Sequence, residues 1–182
     1  PTVISEGNED GYVAYHQFIY APGSGIYSVA PSETPTIIQV KGSGTESIRA
    51  IHVEDNNTYI GGIHGQSASI ENLNTGNNIS MTGNATQNGY FAKLDAVGNP
   101  LWSVTIQSNE TSAVTDVYED ENDFVYFTGY HLGEATFNSA SGAPANSITL
   151  EDHGGKNAYL AGYTAEGELL WALGSGGTGD IE

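Results

Sequence analysis

The sequence lacks cysteine, has few basic residues and contains no long apolar run. Without cysteine, the 182-residue chain has no disulfide, no thiol chemistry and no cysteine-based zinc site. Four Lys and Arg residues stand against 22 Asp and Glu residues, so the formal net charge is −18. Nucleic acid and anionic membranes are therefore unfavourable partners, because clustered bases bind phosphate groups. Since no segment reaches the roughly 20 apolar residues of a membrane helix, we expect no membrane insertion.

The residues that are abundant favour strands and tight turns. The chain has 24 glycines and 11 tyrosines, and its apolar residues follow no sustained helical period. The composition therefore predicts an all-β fold. We expect strands near 12–16, 47–54, 58–64, 68–71, 90–95, 101–106, 113–119, 124–130, 147–151, 158–163 and 169–173.

A long segment of the sequence occurs twice. Residues 88–102 return at 157–171, with Trp102 matched by Trp171 and a constant offset of 69 residues. A repeat of this size is typical of solenoids, propellers and arrays, in which one supersecondary unit stacks on the next. The other matched residues are Tyr90 with Tyr159, Ala92 with Ala161 and Gly98 with Gly167.

A second element of the same unit also repeats, and a weaker copy opens the chain. Residues 58–64 return at 125–131. Residues 12–14 resemble residues 90–92, and Ile38 is aligned with the position of the tryptophan. These copies divide one continuous β domain into a divergent partial repeat (1–44), repeat 1 (45–110) and repeat 2 with the start of a further unit (111–182).

The landmarks of repeat 2 are Tyr-Phe-Thr-Gly at 126–129, Ala-Thr-Phe at 135–137, the segment 157–171, and Gly-Ser-Gly-Gly-Thr-Gly-Asp at 174–180. This pattern resembles the bacterial SBBP repeat, over roughly residues 45–182. The resemblance implies tandem propeller-type blades, each an antiparallel sheet of four to five strands. Two full units are fewer than the four to eight blades of a closed ring, so we expect an incomplete or open propeller.

The resemblance also implies a secreted bacterial surface protein. We expect an extracellular or cell-surface location, although residues 1–20 lack the features of a signal peptide. The favoured function is a non-catalytic structural or binding module for adhesion, matrix or filament assembly, with no catalytic residue and no required cofactor. A carbohydrate-binding module is the first alternative, and a glycoside hydrolase is the second.

The partial repeats at both ends predict open sheet edges, which are prone to pair with other chains. The chain is then either a segment of a longer protein or a subunit that self-associates through these edges. Protein partners are expected in both cases, and a glycan remains the alternative ligand.

Two acidic turns occupy corresponding positions in the repeats. Clustered carboxylate and amide oxygens suit Ca²⁺, which takes six to eight oxygen ligands. Asp and Asn also favour turns for backbone reasons alone, so both interpretations stay open. The candidate ligands are Glu54, Asp55 and Asn57 in the first turn and Glu119, Asp120 and Asp123 in the second.

Repeated aromatic and histidine residues are further candidates. We predict that Trp102 and Trp171 are core residues, because alternation along their strands points both rings to one sheet face. An exposed platform for sugar is the alternative. His64 and His131 share a repeat position and would bind a metal if they converged on a common axis, although duplication alone also explains the match.

Overall fold

The computed structural model describes residues 10–15, 18–20, 27–29, 35–54 and 56–176. These segments form antiparallel β-sheets and contain no helix, hence none long and apolar enough to cross a membrane. The strands are β1 (Gly11–Tyr15), β2 (Phe18–Tyr20), β3 (Tyr27–Val29), β4 (Thr36–Gly42), β5 (Ser47–Glu54), β6 (Asn57–His64), β7 (Ser67–Asn72), β8 (Asn78–Thr82), β9 (Asn88–Leu94), β10 (Pro100–Thr105), β11 (Gln107–Ser108), β12 (Thr111–Glu119), β13 (Phe124–Leu132), β14 (Ala135–Asn138), β15 (Ser147–Leu150), β16 (Asn157–Thr164) and β17 (Leu169–Gly174).

Two four-stranded sheets correspond to the two full repeats. The repeat-1 sheet has the order β10–β9–β6–β5, and the repeat-2 sheet has the equivalent order β17–β16–β13–β12. In each sheet the two strands that come last along the chain, β9–β10 and β16–β17, form a hairpin. Its turn contains Gly98 in repeat 1 and Gly167 in repeat 2, with φ of 82° and 87°. Glycine adopts this left-handed conformation without steric cost.

A second hairpin in each repeat leaves its own sheet and pairs with the preceding unit. In repeat 1, β7 and β8 extend a sheet of order β1–β4–β7–β8. In repeat 2, β14 and β15 pair with β11, which directly follows the last strand of repeat 1. Hydrogen bonding between strands therefore links each unit to the next.

The predicted strands are confirmed to within two residues at each end. The prediction omitted several strands, among them β4, β8 and β14. Of these, β8 and β14 belong to the hairpins that pair outside their own repeat. Their pairing depends on a partner strand from another unit, which the local sequence does not contain.

The strand register corrects the alignment of the opening copy. Tyr12 pairs with Gln39, whereas Tyr90, the counterpart of Tyr12, pairs with Thr105. Gln39 is therefore the counterpart of Thr105, and Ile38 lies two positions away from the place of the tryptophan. The alignment of Ile38 with the tryptophan was wrong because the inserted residues before β4 leave its register undetermined by the sequence.

The two repeat sheets pack face to face around an aromatic core. Phe91 on β9 and Phe127 on β13 stack with a centroid distance of 3.6 Å and an interplanar angle of 27°. Tyr163 on β16 contacts both rings edge-on, at 4.8 and 5.9 Å. Offset and edge-on contacts are the favourable geometries for aromatic pairs, so this cluster fixes how one sheet lies on the other.

The opposite face of the repeat-1 sheet is also buried. Its Ile60, Tyr90 and Leu94 form an apolar cluster with Ile38 and Val40 of β4. The repeat-1 sheet is thus covered on both faces by neighbouring sheets.

Candidate functional site

The outward face of the repeat-2 sheet is the candidate binding surface. Side chains alternate between the core and the outside on β13, β16 and β17. None of the outward side chains on these three strands is charged, although the chain carries a net charge of −18. The edge strand β12 adds the exposed Asp116, which pairs with Thr128 on the same side of the sheet. We call this surface the Trp171 face. Its side chains are Phe124, Tyr126, Thr128, Tyr130, Ala158, Leu160, Thr164, Trp171 and Leu173.

Trp102 occupies the equivalent position of the repeat-1 sheet, and there it is only 6% exposed. Its Nε1 donates a hydrogen bond to the carbonyl oxygen of Ala165, 3.1 Å away, in the hairpin turn of repeat 2. Its ring centroid lies 6.0 Å from that of Phe91 and 6.2 Å from that of Tyr59. The prediction of a core residue is confirmed for Trp102.

The same prediction was wrong for Trp171, which is only partly buried. Its ring lies over Gly162 of its own sheet, where an added Cβ would be 2.5 Å from Cε2, and 6.0 Å from the Tyr126 ring. Leu160, the counterpart of Phe91, is 42% exposed, and Leu173 is 64% exposed. Repeat 2 covers Trp102, whereas the part of the chain that the structure describes contains no further repeat sheet that covers Trp171.

The Trp171 face has basic residues at one end. Lys156 Nζ lies 4.8 Å from the Tyr130 ring centroid. Partial burial raises the pKa of the Tyr130 hydroxyl. The net pKa is nevertheless lowered, because Gln87 and Arg49 donate hydrogen bonds to this hydroxyl and the charges of Arg49 and Lys156 lie close to it. Two of the four bases in the chain therefore lie beside Tyr130.

The opposite end of the face adjoins the acidic turn between β12 and β13. Asp120 accepts backbone hydrogen bonds from Asn122 (2.9 Å) and Phe124 (3.1 Å) and a hydroxyl hydrogen bond from Tyr126 (2.9 Å). Desolvation is the largest single effect and raises the pKa of Asp120, but these three hydrogen bonds together outweigh it and lower the pKa. Asp123 has a φ of 61° in the same turn. Both residues thus have roles in the turn itself.

Two of the predicted ligands, Asn57 and Glu119, form a hydrogen bond that joins the two acidic turns. Glu119 is buried and accepts hydrogen bonds on Oε1 from the Tyr59 hydroxyl at 2.7 Å and from Asn57 Nδ2 at 3.2 Å. These bonds join the repeat-1 and repeat-2 sheets. Glu54 is exposed, with a carboxylate oxygen 3.9 Å from His52 Nε2, and Asp55 lies outside the described residues.

The described candidates therefore do not converge on one cation. Among the described residues, no three His, Asp or Glu side chains are grouped so as to hold a metal ion. The geometry favours the turn interpretation for Asp120 and Asp123 and an inter-sheet contact for Asn57 and Glu119. We therefore adopt the turn interpretation, and the calcium interpretation calls for a direct test.

Calorimetric melts with EDTA and with millimolar Ca²⁺, at matched ionic strength, test the calcium prediction. We expect the same transition in both, because Glu119 and Asp120 already accept hydrogen bonds from the protein. Mg²⁺ at the same concentration is the control for general charge screening. A rise in melting temperature with Ca²⁺ but not with Mg²⁺ would establish a specific cation site.

The two repeated histidines are buried separately, with different partners. His64 Nε2 lies 3.0 Å from Thr105 Oγ1, and burial lowers the pKa of this imidazole to about 4. His131 Nδ1 lies 2.7 Å from the carbonyl oxygen of Gly133. In repeat 2, Gly174 replaces Thr105, and His131 Nε2 has no hydrogen-bond partner.

A cleft of about 300 Å³ lies beside His131 and is also lined by Glu151 and His153. These side chains do not form a metal-binding group, within the described segments. The loop 138–147 lines a second cleft, of about 450 Å³, with small and polar residues. Neither cleft is lined by Trp, Tyr or Phe.

A buried carboxylate that sequence reasoning missed lies between the first sheet and repeat 1. Glu46 is buried, and its Oε1 accepts backbone hydrogen bonds from Gly44 at 3.3 Å and Gly65 at 3.0 Å. Burial raises the pKa of Glu46, the charge of Asp10 adds to that rise, and the two backbone bonds oppose it. No sequence signal distinguishes this residue, because it stands outside the repeated motifs.

No protein-family model matches this chain, and the search of curated proteins gave no significant match.

Proposed function

We propose that this chain is a non-catalytic structural and binding module of an exported bacterial surface protein, used in adhesion, matrix or filament assembly. The observation that carries the proposal is the exposed Trp171 face, whose counterpart in repeat 1 is covered by another sheet. A face whose counterpart packs on a neighbouring sheet has the composition for contact with a further sheet or another partner.

We further propose that the repeat sheets are blades of an open propeller-type array. Three observations support this arrangement: four-stranded antiparallel sheets recur with one strand order, they stack face to face, and the last strand of each unit is linked to the next. The SBBP-like landmarks of the sequence agree with it. An array of this kind presents extended surfaces for partners.

The uncharged character of the Trp171 face supports a binding role. A strongly acidic chain places its charges on surfaces that stay in water, because desolvating an unpaired charge is costly. Exposed apolar patches of soluble proteins mark interaction sites. The Trp171 face combines Trp171, Tyr126, Leu160 and Leu173 without an intervening charge.

A carbohydrate-binding module is the second candidate, and one observation favours it. The Trp171 and Tyr126 rings lie side by side, 6.0 Å apart and tilted by 39°. Aromatic side chains with an apolar body and a polar tip suit surfaces that meet both apolar and polar groups, as a sugar ring presents.

A glycan array probed with the wild-type chain and with Trp171→Ala separates the two candidates. The structural module predicts no glycan signal in either protein. A signal that Trp171→Ala loses would establish the carbohydrate-binding module instead. Incubation with the polysaccharides of that array tests the non-catalytic assignment, since release of new reducing ends would contradict it.

A further inference from the structure

We propose that the cleft beside His131 binds a small ligand through a primary ammonium group. This cleft, called the His131 cleft below, has a volume of about 300 Å³ and lies where β15 and β17 end. Its size is at the lower end for ligand pockets, which suits a small molecule or a single side chain. None of its lining residues belongs to the Trp171 face, so the inference does not depend on the binding function proposed for that face.

The first observation is a buried nitrogen atom without a partner. His131 is 1% exposed, and its Nδ1 lies 2.7 Å from the carbonyl oxygen of Gly133. Because a carbonyl oxygen only accepts hydrogen bonds, Nδ1 carries the proton of the neutral ring and Nε2 has a free lone pair. Nε2 has no hydrogen-bond partner among the described residues. A buried acceptor left in this way is costly, so the cleft favours a ligand with a donor group.

Repeat 1 shows which side chains cover the equivalent histidine. Thr105 Oγ1 lies 3.0 Å from His64 Nε2, and Gln107 donates a hydrogen bond from Nε2 to the carbonyl oxygen of Thr82, 3.0 Å away. Thr82 is exposed although repeat 2 is packed beside this sheet. The following unit therefore does not cover this part of repeat 1, and the threonine and glutamine side chains do.

Glycine replaces both covering residues in repeat 2. Gly174 pairs with Tyr159 as the threonine of repeat 1 pairs with its own tyrosine, and Gly176 stands at the position of the glutamine. A Cβ added at Gly174 would meet no atom closer than Leu150 Cδ1, at 3.4 Å. There is consequently room for a ligand atom beside His131, and the two glycines are the reason for the opening of the cleft.

The side chains of the cleft favour a cationic ligand. Glu151 lines the cleft, no Lys or Arg does among the described residues, and the chain has a net charge of −18. An anion is therefore unfavourable. A metal ion is unfavourable too, because no three His, Asp or Glu side chains of the described segments are grouped around one point. A sugar ring would find no Trp, Tyr or Phe in the lining on which to stack.

A primary ammonium group has the properties that remain. It carries three N–H donors and a positive charge, which the lone pair of His131 Nε2 and the carboxylate of Glu151 are able to accept. Hydrogen bonds between charged partners are stronger than neutral ones. The same group occurs in free alkylamines and in the lysine side chains of proteins.

Long-range ¹H–¹⁵N NMR spectra at pH 8 test the proposal, because they report the protonation and the environment of each nitrogen of the His131 ring. We expect Nε2 to be the unprotonated nitrogen and its resonance to shift saturably as n-butylammonium is added. Tetramethylammonium has the charge without an N–H donor, and 1-butanol has a donor without the charge. We expect no saturable shift with either control.

Gly174→Thr is the matched variant, because it restores the residue that covers the histidine of repeat 1. Gly174 has no positive φ, so the strand accepts a threonine. We expect the affinity for n-butylammonium to fall about tenfold or more, as for the loss of a hydrogen bond to a charged group. Leu173→Thr introduces the same residue at the neighbouring exposed position, and we expect it to bind as the wild type does. Circular dichroism checks the fold of both variants.

The peptide acetyl-Gly-Lys-Gly-amide distinguishes the two sources of the ammonium group. Tighter binding of this peptide than of n-butylammonium would assign the cleft to a lysine side chain of a protein partner, and weaker binding would assign it to a free amine.

Three results would overturn the ammonium site: a proton on Nε2 in the free protein, equal shifts with tetramethylammonium or 1-butanol, or unchanged binding in Gly174→Thr. The absence of a saturable shift in the wild type would also overturn it and would show that water alone satisfies Nε2. These results are independent of the glycan test of Trp171, so either proposal is able to fail without the other.

Discussion

Trp102→Ala is expected to lower the free energy of unfolding by about 3–5 kcal/mol, the usual cost of truncating a large buried aromatic residue. The ring fills the contact between the two repeat sheets, beside Phe91 and Tyr59, and its Nε1–H binds Ala165. The substitution leaves a cavity and removes one of the two hydrogen bonds that the Ala165 carbonyl oxygen accepts, the other being donated by Lys93 Nζ at 3.1 Å. Denaturant unfolding followed by circular dichroism measures the change.

Trp171→Ala is the matched control, because it changes the same residue type at the same position of the next repeat. We expect it to cost about 1 kcal/mol or less, as for partly exposed sites. Equal costs for the two variants would contradict the account, since they would place both rings in the same environment.

Lowering the pH from 6.5 to 4 is expected to cost the folded state about 3 kcal/mol through His64 alone. The pKa of His64 falls from 6.5 to about 4 on folding, because burial disfavours the charged imidazolium. Between these values the unfolded chain binds more protons than the folded chain. The contribution of His64 to stability is therefore complete above pH 6.5 and is lost progressively as the pH falls towards 4.

His64→Gln isolates this effect, since the Gln amide keeps a polar atom near Thr105 Oγ1 and does not titrate. We expect the stability of the wild type to fall by about 3 kcal/mol relative to the variant over the same pH range. The buried Glu46 contributes in the opposite direction, because its raised pKa favours the folded state at low pH. Glu46 is present in both proteins, so its contribution cancels in the difference between their stabilities. Parallel pH profiles would show that His64 is accessible to water.

The sequence predicted the sheet-forming segments well, for a physical reason. Strand and turn signals are local, so alternating apolar residues and the glycine at position 167 indicate the hairpin β16–β17 without knowledge of its surroundings. The 69-residue repeat likewise predicted that Trp102 and Trp171 occupy equivalent strand positions.

The contacts between units were not predictable in the same way. The pairing of β7 with β4 and the bond from Asn57 to Glu119 join segments of different repeats, and no local pattern encodes them. Because the two tryptophans are equivalent in the repeat, the sequence also predicted the same degree of burial for both. Burial depends on whether a neighbouring sheet covers the site, and that differs between the two repeats.

Acrylamide quenching of tryptophan fluorescence tests the central claim most directly, because the chain has two tryptophans and each can be observed alone. Trp171→Phe leaves Trp102 as the emitter, and Trp102→Phe leaves Trp171. Acrylamide is neutral, so the net charge of −18 does not repel it. In dilute solution we expect Trp102 to be protected with blue-shifted emission and Trp171 to be quenched strongly. Equal protection of both rings in dilute solution would contradict an open Trp171 face.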